Sequence, residues 1–258
     1  MKHHRKGTKT RSRVWRIMLY IVLGLFVLSI FNVVLLKYVP VYYTPLMLRR
    51  SWEAATEGRT LDIQKKWVPI EQISPNLVVA VVAAEDNYFR GHYGFSFAGI
   101  KYAWIKNRQN AGSGKNLSGG STISQQCAKN VFTFGYRNYF RKAVEAYYTV
   151  LIELIWGKER IMEVYLNVIE MGDGVFGAEA CAQTAFKISA SKLTRRQAAL
   201  IAVCLPSPRR YSVTNPSKYI LRRQKTILGL MENVGRQEFT ESALKAARER
   251  YHDRPRKK

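Results

Sequence analysis

Three short clusters combine acids, cations and hydrogen-bonding side chains at spacings that suit catalysis. The first is Glu85-Asp86-Asn87-Tyr88-Phe89-Arg90-Gly91-His92-Tyr93-Gly94. Its two adjacent acids follow the apolar run Leu77–Ala84. A carboxylate at the end of a buried helix can have its pKa raised toward the range of a general base. A helix starting at Ser74-Pro75, a cap residue followed by proline, is expected to run through Phe89. Continued as a helix, it places Glu85, Phe89 and His92 on one face at i, i+4 and i+7. The plainer alternative is a helix that leaves the core here with its acids solvated.

The second cluster, Gly119–Asn130 (GGSTISQQCAKN), opens a helix with a Gly pair, Ser121 and Thr122. Such a start presents backbone N–H groups to an anion. Lys129 follows Gln126 by three residues and Thr122 by seven, on one side of that helix. An ordinary capped helix with a solvated lysine reads the same way. The third cluster is Arg141-Lys142-Ala143-Val144-Glu145, whose Arg141 and Glu145 stand at i, i+4. On a surface that pair is worth only about 0.3–0.5 kcal/mol. Lys158–Asn167 carries apolar residues at helical spacing and reads as packing. Two weaker matches are set aside. Gly114-Lys115 lacks the flanking residues and preceding strand of a phosphate-binding loop, and Ser189-Ala190-Ser191-Lys192 lacks the other transpeptidase motifs.

The elements that must position these clusters are mostly helical. Further helices are expected near Leu46–Ala55, over about Asn138–Trp156, Lys158–Ile169, Ala178–Phe186 and Thr194–Leu205, and from Asn215-Pro216 through Val234. Strands of period two are scarce. Asn110–Gly120, with four glycines and two serines, is a flexible loop by composition. Upstream, Ile17–Leu36 is uncharged and apolar across twenty residues. As a helix it spans about 30 Å, the thickness of a bilayer core. No small-residue cleavage site follows, so it reads as an uncleaved anchor rather than a signal peptide. Its basic flank places the N-terminus in the cytoplasm and the rest of the chain outside.

Of 258 residues, 42 are Lys or Arg and 18 Asp or Glu, a formal net charge of +24. That excess suggests nucleic acid first. However, residues 2–16 hold seven of the cations, and residues 245–258 hold seven more with two acids, leaving +12 for the middle. The anchor removes the domain from any genome, so no nucleic-acid partner is expected. Three cysteines, Cys127, Cys181 and Cys204, make neither a disulfide framework nor a metal spacing.

In this order the clusters resemble glycosyltransferase family 51, in particular its monofunctional biosynthetic peptidoglycan transglycosylases. The motif E-D-x-x-F-x-x-H-x-G corresponds to Glu85–Gly94, G-x-S-T-x-x-Q-Q-x-x-K-N to Gly119–Asn130, and R-K-x-x-E to Arg141–Glu145. K-x-x-I-x-E-x-Y-L-N recurs at Lys158–Asn167, followed by Gly172–Gln183 and the L-P-x-P of Leu205–Pro208. The resemblance covers about residues 70–220. Three positions depart from it: Ser96 for an Asp, Ala185 for an aromatic, and Gln197 for a Glu.

The resemblance implies a predominantly α, lysozyme-like domain behind one membrane helix. The expected layout is a cytoplasmic basic flank (1–16), an anchor (17–36), a connector (37–70), the glycosyltransferase domain (71–235) and a basic C-terminal helix or tail (236–258). It further implies polymerisation of lipid II into β-1,4 glycan strands on the outer face of the cytoplasmic (inner) membrane, with inversion and release of undecaprenyl pyrophosphate. Glu85 is then the base and Glu145 the second catalytic carboxylate. Asp86, Phe89, His92, Ser121, Thr122, Gln126, Lys129, Asn130 and Arg141 are expected at the substrate and its pyrophosphate. Glu145 is open between partnering Arg141 and ligating Mg²⁺ or Mn²⁺. The loop 110–120 is expected to close over the growing chain. Partners would be lipid II, nascent glycan, the membrane and cell-wall synthesis or division proteins. A lysozyme-like hydrolase and a non-catalytic basic scaffold are the alternatives.

Overall fold

The computed structural model describes residues 6–110, 119–134 and 139–252, without the side chains of residues 6–12 and Ala98. The expected loop closure at 110–120 and the end of the basic tail therefore fall largely outside the described residues. The chain divides into two units, residues 1–39 and 40–258. The first is helix α1 (Lys6–Tyr38), continuous through the basic flank and the apolar stretch. Among the described residues it is the one helix long and apolar enough to cross a membrane.

The second unit begins with α2 (Pro45–Thr56), capped by the Thr44 hydroxyl, which accepts the Met47 N–H at 3.3 Å. Met47, Arg50 and Ala54 form its buried stripe. Helix α3 (Pro75–Glu85) is apolar on every side, as a helix enclosed by protein must be. Leu77, Ala80, Val81 and Val82 have no exposed surface. Its cap residue Ser74 also donates to the Leu193 carbonyl at 2.8 Å, pinning the helix start.

Helices α4 (Phe97–Gln109), α5 (Ile123–Phe132), α6 (Tyr139–Ile155), α7 (Gly157–Val168), α8 (Ala178–Phe186), α9 (Arg195–Cys204), α10 (Lys218–Val234) and α11 (Glu241–His252) complete the domain. Two packing groups result: α3 with α9 and α10, and α5 with α6 and α7. A small sheet joins β1 (Gln64–Lys65) parallel to β3 (Val175–Phe176), with β2 (Glu170–Gly172) antiparallel on its other side. Strands of two or three residues show no alternation in sequence, which is why the sheet was not anticipated. Helix α4 was also missed: it keeps Phe97, Ile100, Tyr102 and Trp104 exposed, so its apolar residues trace no buried stripe.

The departures from the family pattern have local partners. Ser96 caps α4, its hydroxyl accepting the Gly99 N–H at 3.1 Å. Gln197 closes a capping box with Thr194 at the start of α9. Nothing in the structure explains Ala185. Cys127, Cys181 and Cys204 are free and buried, and burial pushes the Cys181 thiol up to about 12.

Candidate active site

The site lies where the end of α3 meets the start of α5. Here the sequence expectation needs correction. Helix α3 does not run through Phe89; it ends at Glu85, and Asp86 turns away with φ −159° and ψ 76°. Glu85, Phe89 and His92 therefore do not share a helical face. The cause is tertiary. The Asp86 carboxylate accepts the backbone N–H of Ile123, the first residue of α5, at 3.1 Å. It also accepts His92 Nε2, 3.0 Å from both oxygens. A carboxylate at a helix N-terminus gains from orphan N–H groups and from the dipole. The anion expected at the start of α5 is thus met by the protein's own Asp86.

Phe89 and Gly94 of the first cluster are packed into the framework. Phe89 has no exposed surface and packs edge-on against Phe239, with Lys158 Nζ 4.5 Å above its ring. Gly94 adopts φ +78°, and a Cβ there would sit 2.6 Å from Thr149 Cγ2, so the position admits no larger residue without movement. Beneath it, Lys158 Nζ donates to buried Glu153 at 2.7 Å, and the Ser124 hydroxyl donates to the same oxygen.

Thr122 is the N-cap of α5. Its oxygen accepts the Gln125 N–H, Gln125 Oε1 accepts the Thr122 N–H, both at 3.1 Å, and the Thr122 hydroxyl donates to the Gly94 carbonyl at 2.6 Å. Its hydroxyl thus ties the start of the second cluster to the end of the first. Beyond it, α5 turns Cys127, Ala128 and Val131 to the core and Gln126, Lys129 and Asn130 to a cleft of about 430 Å³. Ser121 lines the same cleft from the preceding turn, as do Arg141, Lys142 and Glu145 from α6.

Glu85 reaches this cleft through Gln126, whose Nε2 donates to Glu85 Oε2 at 2.8 Å. Gln126 Oε1 in turn accepts the hydroxyl of buried Tyr165 at 3.3 Å, which sets the direction of the amide. Burial pushes the Glu85 carboxyl up; Gln126 and the Lys129 charge pull it back, and Asp86 adds to the rise. Burial holds Lys129 below its ordinary value, against the attraction of Glu145 and with the repulsion of Arg141, Arg49 and Lys142.

Arg141 and Glu145 are not a solvated surface pair. Glu145 is buried and accepts from Arg141 and from Lys142 Nζ, the latter at 3.2 Å. This donor set does not fit a resident divalent ion. Two cations already face the one carboxylate, and among the described residues no three His, Cys, Asp or Glu side chains converge as ligands.

The structure therefore gathers Ser121, Gln126, Lys129, Asn130, Arg141 and Glu145 at one cleft, with Glu85 joined by a hydrogen bond. Asp86, Phe89, His92 and Thr122 stand behind it. The sequence reading missed Arg49, Lys142 and the role of Tyr165. Lys142 and Tyr165 lay inside motifs already singled out; for Arg49, nothing in the pair Arg49-Arg50 signals which guanidinium meets the cleft.

Residues 54–232 match the family model described as transglycosylase. A biosynthetic peptidoglycan transglycosylase of Bacteroides thetaiotaomicron is 48% identical over 209 residues, covering 81% of this chain and 83% of its own. The protein of that name from Bdellovibrio bacteriovorus is 49% identical over 207 residues, covering 80% and 81%. That from Caulobacter vibrioides is 47% identical over 221 residues, covering 86% and 92%. A match across this span, enclosing every residue of the cleft from α5 and α6, means that the chain belongs to the transglycosylase family.

Proposed function

We propose that this peptidoglycan glycosyltransferase extends glycan strands from lipid II by a single inverting displacement in the cleft between α5 and α6. The observation that carries the reading is the pairing of one half-buried carboxylate, Glu85, with a cation-lined pocket one hydrogen bond away. Glu85, its pKa raised by burial, takes the proton of the acceptor 4-hydroxyl as that oxygen attacks the donor anomeric carbon. The anomeric C–O bond breaks and its electron pair leaves on the pyrophosphate. Such a leaving group needs positive charge rather than a proton donor. Lys129 supplies a point charge and Arg141 a planar fork, which Glu145 orients. Gln126 holds Glu85 ready, and Ser121 and Asn130 line the sugar path.

The apolar helix α1 supports attachment to a membrane. In our reading this is the cytoplasmic (inner) membrane, with the basic flank inside and the domain outside, where it meets other cell-wall synthesis or division proteins. Protease protection in spheroplasts tests that orientation.

Polymerisation of purified lipid II by the full-length protein tests the reading. Lengthening polymer supports transfer, and cleavage of preformed glycan in its place would overturn it. Glu85→Gln is expected to lower turnover by about 10²–10⁴-fold without loss of fold.

A further inference from the structure

The cleft holds more positive charge than the motifs account for. Arg49, on α2, lines it together with Lys129, Arg141 and Lys142. Arg49 lies before the stretch that matches the family model, which begins at residue 54. Its neighbour Arg50 is buried and fastened to Glu170, with Nε 3.0 and 3.2 Å from the two carboxylate oxygens, and to Asp173 at 2.5 Å. Those bonds set the rotation of α2, so that the adjacent Arg49 and Leu46, one turn earlier, meet the cleft.

The acids nearby are already engaged. Glu145 serves Arg141 and Lys142, and Glu170 serves Arg50. Arg49 Nε pairs with Glu53 at 3.1 Å, but Glu53 is shared with Arg50 at 3.2 Å and Arg209 at 3.7 Å. Arg49 Nε, although close to Glu53, is buried without a hydrogen-bond partner among the described residues. The Arg49 charge is also felt at Lys129, where it opposes protonation. Cations held together in a partly enclosed cleft repel one another unless an anion joins them, and a guanidinium matches the oxygens of a phosphate.

We propose that Arg49 is a substrate-binding residue that grips the lipid-linked pyrophosphate from α2, making the first helix after the apolar segment part of the binding site. This rests on the glycosyltransferase reading above. Because the contact exists in ground and transition states alike, its loss falls on KM.

The test uses full-length protein in detergent, with lipid II turnover and inhibition by inorganic pyrophosphate as two readouts. Arg49→Gln is expected to raise KM by about tenfold or more, with kcat within about twofold, and to weaken pyrophosphate inhibition in proportion. Arg49→Lys should recover part of both. Arg209→Gln, which also removes a partner of Glu53 but not a cleft residue, should change neither. Unchanged KM and inhibition in a folded Arg49→Gln, or a fall in kcat alone, would overturn the proposal. If Arg49→Gln fails to fold, Arg49→Lys carries the test: KM and inhibition equal to the original protein would then overturn it. The two readings separate cleanly. An original protein that binds pyrophosphate through Arg49 yet never polymerises lipid II refutes the glycosyltransferase reading alone. One that polymerises lipid II with no dependence on Arg49 refutes only this inference.

Discussion

Gln126 donates to Glu85 at 2.8 Å while accepting from Tyr165, so a neutral amide sets both the position and the basicity of the half-buried carboxylate. A hydrogen bond to the charged form favours ionisation, and this one counters the rise that burial imposes.

Replacing Gln126 with Leu removes that bond. The Glu85 pKa then rises further, and the ionised base is reached only at higher pH. The acid limb of the kcat/KM profile is expected to move to higher pH. A limb that stays in place, or moves down, would show that Glu85 is not the group being titrated.

Tyr165→Phe leaves Gln126 Oε1 without its donor and the amide free to turn over. The limb should move in the same direction by less than in Gln126→Leu. Loss of one buried hydrogen bond should cost about 1 kcal/mol in chemical denaturation. Equal limb shifts in both variants would mean that Tyr165, not the amide bond, governs Glu85.

Asp86→Ala strips the N-terminus of α5 of its anion and His92 of its acceptor. A destabilisation of about 2–4 kcal/mol is expected from the buried donors left behind. It should be read from the denaturation midpoint, and a loss below 1 kcal/mol would contradict a structural role for Asp86.

Gly94→Ala should cost about 2 kcal/mol or more, because the added Cβ meets Thr149 Cγ2 at 2.6 Å on backbone with φ +78°. Thr149→Ser removes that methyl and keeps the hydroxyl that donates to the Glu145 carbonyl. The double variant should therefore recover the steric part of the loss but not the backbone part. Strict additivity of the two changes would place the cost elsewhere.

Much of the helical framework could be read from local pattern. The stripe of α6, the uniform apolarity of α3 and the caps at Ser74, Thr122 and Thr194 each act within a few residues. Elements governed by distant partners were not legible. Helix α4 buries too little to show a stripe, β1 exists because Gln64 pairs with Val175 across more than a hundred residues, and the β2–β3 pair is too short to alternate. The end of α3 belongs to the same class: helical periodicity continues past Glu85, but a carboxylate seeking the N-terminus of α5 breaks it.

For the site, the resemblance of the ordered motifs selected Glu85, Gln126, Lys129, Arg141 and Glu145 along with Asp86, Phe89, His92, Ser121, Thr122 and Asn130, while the residue types alone also fitted solvated acids, a capped helix and a surface ion pair. Only the tertiary structure separated the motif residues by place. It buried Asp86, Phe89, His92 and Thr122 behind the cleft. It also brought Arg49 to the cleft. Side-chain direction on α2 is decided by the buried contacts of Arg50 with Glu170, 120 residues away, and no local pattern encodes such a pairing.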